Sequence, residues 1–577
     1  MGSTVVEKIA RGHMVEGPDR PLRPGDMVVL EPRHVLTHDN TAPVMAKFRS
    51  IGADRVRNPR QPVVVLDHDI QNRSPENLEK YTRIRTFCRE QGLDFHPAGT
   101  GIGHQIMVER GYVQPGWLVV ASDSHANMYG AMGALGTPVV RTDAAAIWAA
   151  GRFWWSIPRT VQVVLEGRLQ PGVSGKDLIL TLCGLYNQGE VLNAAVEFTG
   201  PGVASLDMAA RMTVANMTTE WGALVGWFPV DDITVAYLGE RKARLEAAGH
   251  HRIRASDLEV WASEPPAPDV DAHYAARITV DLSAVRPYLA GPDTVQVARP
   301  VASAGTEEIP IQKAYLLSCV NGRLEDLMTA AEVVRGRRVA DGVELYVAAA
   351  SREIEEKAKA QGTWKDLLEA GAIPLPPGCG PCIGLGAGLL EPGETAVSAT
   401  NRNFKGRMGS RDARVYLASP AVVARSALAG RITDGGAGDG QGSGDGADGR
   451  DAADLPGSPP YSFKVLETPE PPSETVEILD GFPEQVAGRL VFVPRENLNT
   501  DGIYGKEHTY RDRTPEEMAE VVMANYDPAF ASRTGPGDIL VGTRNFGTGS
   551  SRVQAATARQ ARGIALLIAE SLSQTYQ

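Results

Sequence analysis

Cysteine is scarce in this sequence, which has five cysteines among 577 residues. A small, odd number spread over this length excludes the disulfide-dense frameworks of short secreted domains and favours a reducing compartment. The five are Cys88, Cys183, Cys319, Cys379 and Cys382.

Long apolar runs are also missing. No stretch of 18 or more uncharged apolar residues occurs, which excludes a membrane-spanning helix. The first residues, MGSTVVEKIARG, contain no apolar signal-peptide core. We therefore expect a soluble protein of the cytoplasm, or of the mitochondrial matrix if a transit peptide is missing from the sequence, with no membrane partner.

A basic excess is the third feature that the sequence lacks. Asp and Glu (70) outnumber Lys and Arg (58), so the formal net charge is −12. Nucleic acid and anionic membranes both favour a basic face, so neither is expected as the main partner. An anionic small molecule would need arginines that are concentrated at its site.

Length and texture predict several domains of α/β type. A chain of 577 residues is too long for one hydrophobic core. Short β-rich runs such as VVVLDHD (63–69) and LVVASDSH (118–125) alternate with helical stretches such as DAAAIWAAGRFWW (143–155). This alternation predicts parallel sheets, in which chemistry gathers at the loops after the carboxyl ends of strands. A second stretch of this kind covers about residues 310–430.

The residue composition changes abruptly at residue 434. Residues 434–460 read DGGAGDGQGSGDGADGRDAADLPGSPP and have almost no apolar content. This composition predicts a flexible linker, which we assign to residues 433–462. Strand-and-turn texture then returns, so residues 463–577 are predicted to form a separate, smaller domain.

Three of the cysteines stand in two short motifs, SCVNGR (318–323) and the Gly/Pro-rich GCGPCIG (378–384). Three thiolates are one short of the usual complement of a cubane cluster or a closed structural zinc site. If all three bind one [4Fe-4S] cluster, one iron lacks a protein ligand and can act as a Lewis acid. Spacing alone leaves two other interpretations open, a zinc or redox C-x2-C pair and a Cys319 that is buried in the core.

Four motifs carry histidine with aspartate or glycine in probable loops. They are HDNTAP (38–43), LDHD (66–69), GTGIGHQ (99–105) and SDSH (122–125). A single loop His or Asp is usually a turn former or a solvated group. Their joint occurrence at strand ends indicates proton-transfer groups with orienting carboxylates.

Two further motifs offer arginines to an anion. NRNFKGR (401–407) contains Arg402 and Arg407, and GTGSSR (547–552) contains two hydroxyls and Arg552. Arginine forks match carboxylates bidentately, and a Gly-rich turn before a helix presents free amides. In isolation, GTGSSR is equally explained as a turn that starts a helix.

Together, SDSH, SCVNGR, GCGPCIG, NRNFKGR and NFGTGSSR resemble, in order and over nearly the whole chain, the signatures of the aconitase superfamily. Phrases such as THDNTAPVMAKF, LDHDIQN and ANMTTEWGAL look most like its single-chain homoaconitase branch. The resemblance implies aconitase-like domains 1 and 2 over residues 1–300, domain 3 over 301–432, and a swivel-type α/β domain after the linker. It also implies a hydro-lyase with a [4Fe-4S] cluster, one iron of which lacks a protein ligand.

The same resemblance implies roles for matching residues. The cluster ligands would be Cys319, Cys379 and Cys382. The residues that orient substrate and water and assist proton transfer would be His104, Asp67, His68, Asp123 and His125. Asn216 would contact the cluster region, and Glu220 the departing hydroxyl. The groups that bind substrate carboxylates would be Arg402, Arg407 and Arg552. Ser550 would be the general base, with Ser551 beside it.

Two departures from the family pattern affect these expectations. Relatives usually carry Glu directly after SSR, where this chain has Val553. The sequence stops at SLSQTYQ, where relatives continue, so the small domain is expected to be truncated at its C-terminus. A monomer is expected, or a chain paired with another that supplies the missing portion. An inactive truncated homologue is an alternative.

Substrate choice is expected to depend on the loop after NTDGIY (499–504). Asp501 is placed in the turn, and YGKEHTY (504–510) would approach the variable group of the substrate. Lys506 and His508 favour an anionic side arm, as in homocitrate, over the alkyl arm of isopropylmalate, although a charged surface loop is the ordinary explanation. The expected reaction is the isomerisation of homocitrate to homoisocitrate through cis-homoaconitate, in lysine biosynthesis by the aminoadipate route. The alternatives are 3-isopropylmalate dehydratase, an aconitate hydratase-like isomerase, and a cluster-free protein that binds RNA or a regulatory partner.

Overall fold

The computed structural model describes residues 2–577 apart from 305–307, 436–459, 467–482, 484, 506–507, 509–512, 550–552, 575 and 577. Most of the predicted linker, 433–462, therefore lies outside the described residues. The described chain is built from parallel α/β sheets, which confirms the predicted fold class.

The first layer is a five-stranded, fully parallel sheet. Its strands in spatial order are Asp94–His96, Pro62–Val65, His34–Thr37, Leu118–Ala121 and Leu135–Pro138. Pro62–Val65 and Leu118–Ala121 are buried along their whole length, which explains their unbroken apolar sequences. The motifs HDN, LDHD and SDSH follow three of these strands at one edge, as predicted. The helices of this layer are Thr41–Ser50, Pro75–Gln91, Gly103–Glu109 and Arg141–Ala150, with a 3-10 helix over Ala126–Met132.

The helix predicted over residues 143–155 is too long. It ends at Ala150, because Gly151 adopts a left-handed conformation with a φ of 78°. Phe153–Ser156 is instead a strand, in which Phe153 and Trp155 are buried and Trp154 is exposed. This two-residue period is that of a half-buried strand. The strand joins a small antiparallel sheet with Met27–Leu30 and Met14–Glu16.

The second layer is a five-stranded sheet with one antiparallel edge. Its strands in spatial order are Val225–Trp227, Ala195–Thr199, Thr160–Glu166, Ala276–Asp281 and Tyr461–Val465. Tyr461–Val465 pairs antiparallel with Ala276–Asp281, and residue 463, the predicted start of the small domain, lies within this edge strand. The helices of this layer are Val5–Gly12, Gly175–Leu185, Met208–Trp221, Asp232–Ala247 and Ala255–Ser263, with 3-10 helices over Pro201–Ser205 and Leu282–Ala284.

The third layer is a seven-stranded sheet. Its strands in spatial order are Ala298–Pro300, Tyr288–Ala290, Arg414–Leu417, Thr395–Ser398, Lys313–Leu316, Glu344–Val347 and Ile373–Pro374. The neighbouring parallel strands Lys313–Leu316 and Thr395–Ser398 end at one edge and deliver Cys319 and Asn401 there. The helices of this layer are Val301–Ala304, Leu324–Val334, Arg352–Ala360, Thr363–Glu369 and Pro420–Ala429, with a 3-10 helix over Gly380–Ile383.

The C-terminal region has its own three-stranded parallel sheet and its own buried core. The strands are Leu490–Phe492, Ile539–Val541 and Leu566–Ile568, and the helices are Thr500–Ile503, Pro515–Glu520, Phe530–Arg533 and Val553–Ala561. The helix predicted to follow GTGSSR begins at Val553. Within the described part of the chain, no helix has both the length and the apolar character that crossing a bilayer requires.

One buried carboxyl in the second sheet affects stability. Glu197 is fully buried, accepts hydrogen bonds from the Val6 amide (3.0 Å) and the Tyr274 hydroxyl (2.9 Å), and so fixes the N-terminal helix to the sheet. Burial raises the pKa of Glu197 from its ordinary value near 4.5 to about 7. Between these two pH values the unfolded chain releases a proton that the folded chain retains, so folding stability falls as pH rises.

We expect Glu197→Gln to remove this pH dependence, because the amide keeps an acceptor for Val6 and can donate to the Tyr274 oxygen. The variant should match the parent near pH 5 and exceed it by up to about 3 kcal/mol at pH 8, at about 1.4 kcal/mol per pKa unit. Melting temperatures measured from pH 5 to pH 8 test this, with the exposed Glu369→Gln as control. Parallel pH profiles for parent and Glu197→Gln would contradict the assignment.

Candidate active site

The three motif cysteines line one cavity with about 790 Å³ of empty space. Cys319 follows strand Lys313–Leu316, and Cys379 and Cys382 stand at the 3-10 helix Gly380–Ile383. Cys319 and Cys382 are 6% and 5% exposed. The site therefore forms where the edges of the first and third sheets meet. Cys88 and Cys183 do not line this cavity.

Two asparagine amides contact the cysteine sulfurs. Asn216 Nδ2 lies 3.3 Å from Cys319 Sγ. Asn401 Nδ2 lies 3.5 Å from the same sulfur, and Asn401 Oδ1 accepts from Cys382 Sγ at 3.3 Å. Asn401 was not predicted as a site residue, although it is the first residue of NRNFKGR. The sequence signal for Asn401 is its place inside NRNFKGR, a motif whose arginines mark it as a candidate site.

Main-chain contacts hold the cysteine loops in place. The fully buried guanidinium of Arg323 donates to the carbonyl oxygens of Cys319 (2.7 Å) and Val320 (2.5 Å). Arg407 Nε donates to the Cys382 carbonyl at 3.0 Å, and the Cys379 amide donates to the Asp67 carbonyl at 2.8 Å. Arg323, the last residue of SCVNGR, thus has a structural role that the motif alone does not indicate.

The donor set suits an iron-sulfur cluster better than a single ion. Among the described residues, two sets of three or more ligand atoms lie within 4.8 Å of one another: His38, Asp39, Asp67 and His68, and His104, Asp123 and His125. The three sulfurs do not form a third such set, so they are too far apart to close on one zinc ion. A cluster of several irons bridges a wider triangle of thiolates. Asparagine amides beside the sulfurs can hydrogen-bond and orient such ligands.

The buried thiols can serve as ligands only where a cation stabilises their thiolate forms. Burial raises the pKa of the Cys319 thiol to about 12 and the pKa of the Cys379 thiol well above its usual range. These thiols become thiolates at neutral pH only beside a strong positive charge, which a cluster's irons provide. The residues present therefore fit the cluster that the sequence implies.

Asp123 is the centre of a histidine network on the opposite wall. Its Oδ1 lies 2.9 Å from His104 Nε2 and 3.3 Å from His125 Nδ1. Burial would raise the pKa of Asp123, but hydrogen bonds and attraction from these two histidines hold it well below its usual range. Asp123 therefore stays ionised and can orient both imidazoles. The other ring nitrogen of His104 contacts the Tyr129 hydroxyl at 2.9 Å.

A second group pairs His68 with His38. The rings stack with centroids 3.8 Å apart. Burial lowers the pKa of His38 to about 4. Burial also disfavours protonated His68, but the carboxylates of Asp67, Asp39 and Asp123 outweigh it and raise its pKa to about 9. One neutral and one protonated imidazole thus lie side by side at the cavity wall, so the network can both accept and donate protons.

Glu220 joins the histidine network to the substrate arginines. Glu220 Oε1 accepts from Arg402 Nε at 2.7 Å and lies 3.1 Å from His125 Nε2. Burial would raise the pKa of Glu220, but Arg402 and His125 lower it. Glu220 Oε2 and Arg402 Nη2 are buried with no hydrogen-bond partner among the described residues. Both atoms are therefore available to a bound molecule.

The cavity is cationic although the chain is acidic. Arg402, Arg407 and Arg141 all line it. Arg141 was not predicted, and neither were His38, Asn40 and Ser122 as individual site residues. Asn40 donates to the Ser122 carbonyl at 2.7 Å, which ties the motifs HDNTAP and SDSH together. The sequence signal for His38 and Asn40 is the motif HDNTAP, in which neither residue was assigned an individual role.

The predicted small-domain residues fall partly outside the described residues. Ser550, Ser551, Arg552 and Lys506 belong to the segments that are not described. Gln554, in the first turn of helix Val553–Ala561, lines the same cavity as the three cysteines. Asp501 was placed in a turn but lies, 3% exposed, in the short helix Thr500–Ile503. His508 does not line the cavity.

Comparison with known proteins agrees with this geometry. The profile of the Aconitase family (aconitate hydratase) matches residues 7–430, and that of the Aconitase C-terminal domain matches residues 464–577. The chain is similar to the protein named homoaconitase, mitochondrial, of Eremothecium gossypii, at 53% identity over all of this chain and 84% of the relative. It is similar to the proteins of the same name from Cryptococcus neoformans (50%; 100% and 83%) and Yarrowia lipolytica (51%; 99% and 83%).

Proposed function

The chain belongs to the aconitase family of hydro-lyases, and from that premise we propose that it interconverts homocitrate and homoisocitrate through cis-homoaconitate. One observation carries the proposal: three thiols, three arginines and a His/Asp network line a single cavity in an acidic chain. We assign the reaction to lysine biosynthesis by the aminoadipate route. The relatives named homoaconitase support this choice of substrate.

In this proposal Cys319, Cys379 and Cys382 hold a [4Fe-4S] cluster, since their buried sulfurs share one cavity. Such a cluster, when bound, supplies an iron without a protein ligand that acts as a Lewis acid toward substrate oxygen. Asn216 and Asn401 contact the sulfurs and orient that corner of the site.

The arginines bind the carboxylates of the substrate. Arg402 offers its unpartnered Nη2, Arg407 lies beside Cys382, and Arg552 completes the set from the small domain. Removing a weakly acidic C–H proton builds negative charge next to a carboxylate. Cations fixed at that carboxylate stabilise the charge as it forms.

The remaining residues handle protons. Ser550 removes the proton from the carbon beside the hydroxyl-bearing carbon, with Ser551 next to it. His104 and His125, oriented by Asp123, deliver a proton to the departing hydroxyl, which then leaves as water. Glu220 contacts that hydroxyl through Oε2, which has no hydrogen-bond partner among the described residues. Asp67 and His68 maintain the charge of the histidine network. Adding water back with the hydroxyl and the proton exchanged between the two carbons gives the isomer.

Substrate selection belongs to the loop 504–510 of the small domain. Lys506 would pair with the anionic arm of homocitrate, which isopropylmalate lacks, whereas His508 does not line the cavity. We also propose the domain division 1–300 and 301–432 with a small domain that begins after the edge strand Tyr461–Val465, a monomeric state, and a reducing compartment such as the mitochondrion that the relatives' names indicate.

Anaerobic reconstitution with iron and sulfide tests the proposal. We expect a brown protein with about one cluster per chain and broad absorbance near 400 nm, as thiolate-ligated clusters give. In one assay, homocitrate should be turned over with a kcat/KM at least about tenfold above those of citrate and isopropylmalate, a difference of ~1.4 kcal/mol in transition-state binding. A colourless protein, or preference for another of the three acids, would contradict the assignment.

A further inference from the structure

Lys176 is a fully buried cation that none of the roles above uses. It is the second residue of helix Gly175–Leu185, and its side chain is 0% exposed. Its ammonium donates to the carbonyl oxygens of Ala399 (3.2 Å) and Thr400 (2.5 Å). Among the described residues, no carboxylate oxygen lies within 4.0 Å of this nitrogen.

The two carbonyls belong to the segment that leads directly into the site. Asn401, the next residue, contacts the sulfurs of Cys319 and Cys382, and Arg402 pairs with Glu220. Lys176 therefore fixes the main chain from which a sulfur-binding amide and a substrate arginine both project. Neutral carbonyls alone compensate poorly for burying a full charge.

An anionic partner nearby would remove this imbalance. Burial lowers the pKa of Lys176 to about 7, and the opposing attraction comes first from the Cys382 thiol and then from the carboxyl groups of Asp326 and Asp177. Cys183, the cysteine of the Lys176 helix itself, is buried but lies outside the cavity. Three thiolates ligating one cluster would bring further negative charge beside Asn401, the residue that follows the two carbonyls bound by Lys176.

We propose that Lys176 is a positioning residue and counter-charge for the cluster: it anchors residues 399–402 and its charge favours the reduced, more negative state of the metal centre. This inference rests on the proposed cluster site. Removing the charge should make one-electron reduction harder, and freeing the loop should loosen the amide that contacts two ligand sulfurs.

The test uses the reconstituted full chain. For Lys176→Met we expect the equilibrium constant for one-electron reduction of the cluster to fall at least tenfold, which is a shift of about 59 mV to lower potential. Loss of absorbance near 400 nm in air should be at least severalfold faster than in the parent. Lys365→Met removes the same charge from an exposed helix, where Lys365 pairs only with Glu369, and should leave both readouts unchanged.

Lys176→Gln is the second variant, to be measured if Lys176→Met does not fold as judged by circular dichroism. An unchanged potential in either folded variant, or an equal shift in Lys365→Met, would overturn the inference. A parent protein that takes up no cluster would instead contradict the proposed function, so the two failures are distinguishable.

Discussion

Cys382→Ser is expected to lower turnover by the reconstituted protein at least about 1,000-fold and to reduce its bound iron. A Lewis-acid metal contributes several kcal/mol of transition-state stabilisation, and about 1.4 kcal/mol corresponds to a tenfold change in rate. Serine keeps a donor for Asn401 Oδ1, which now accepts from the cysteine sulfur at 3.3 Å. The substitution therefore removes the thiolate while it preserves the local packing.

Cys88→Ser is the matched control for this measurement. Cys88 is 1% exposed in helix Pro75–Gln91, and it lies in the core of the first sheet, away from the cavity. Its replacement should cost some stability but leave iron content and kcat unchanged. If Cys382→Ser retains the iron and sulfide content of the parent, Cys382 is not a cluster ligand.

Arg402→Met is expected to affect both stability and substrate binding. Arg402 and Glu220 are 2% and 3% exposed and joined at 2.7 Å. Removing one partner of a buried ion pair costs about 3–5 kcal/mol, because the remaining charge is left uncompensated. The variant also lacks the buried Nη2 donor, so we expect kcat/KM to fall by about 100-fold or more, the cost of one lost charge-assisted interaction of ~3 kcal/mol.

A double variant separates the two effects. Glu220→Gln with Arg402→Met removes both charges, so much of the stability should return while kcat/KM stays low. Arg211→Met is the matched control, since Arg211 is equally buried and pairs with Asp231 at 2.6 Å outside the cavity. It should destabilise the fold without raising KM. A normal kcat/KM in folded Arg402→Met would remove Arg402 from the substrate-binding set.

The fold class was predictable because its signals are local. The unbroken apolar run of residues 62–65, with prolines before it and the polar DHD after it, is typical of a buried parallel strand. The helix over 143–155 was overextended because alanines favour a helix, whereas the two-residue period of Phe153 and Trp155 becomes decisive only with a neighbouring strand at Met27–Leu30.

The site was predictable where a residue lies inside a recognisable motif. Cys319, Asp123 and His125 are examples, and all three line one cavity. Lys176 and Arg323 were not predicted as site residues, because their roles depend on which carbonyl oxygens their side chains bind in the folded chain. For Lys176 those carbonyls lie 223 and 224 positions away in the chain. A single sequence contains no information about contacts of that range.

The edge strand Tyr461–Val465 changes the length of the tether to the small domain. The chain returns to the second sheet there and pairs over five positions with Ala276–Asp281. The elements on both sides of the glycine- and aspartate-rich segment, helix Pro420–Ala429 and this strand, therefore both belong to the larger body. The number of residues that follow residue 465 before the C-terminal unit begins therefore determines the effective concentration of that unit at the cysteine-lined cavity.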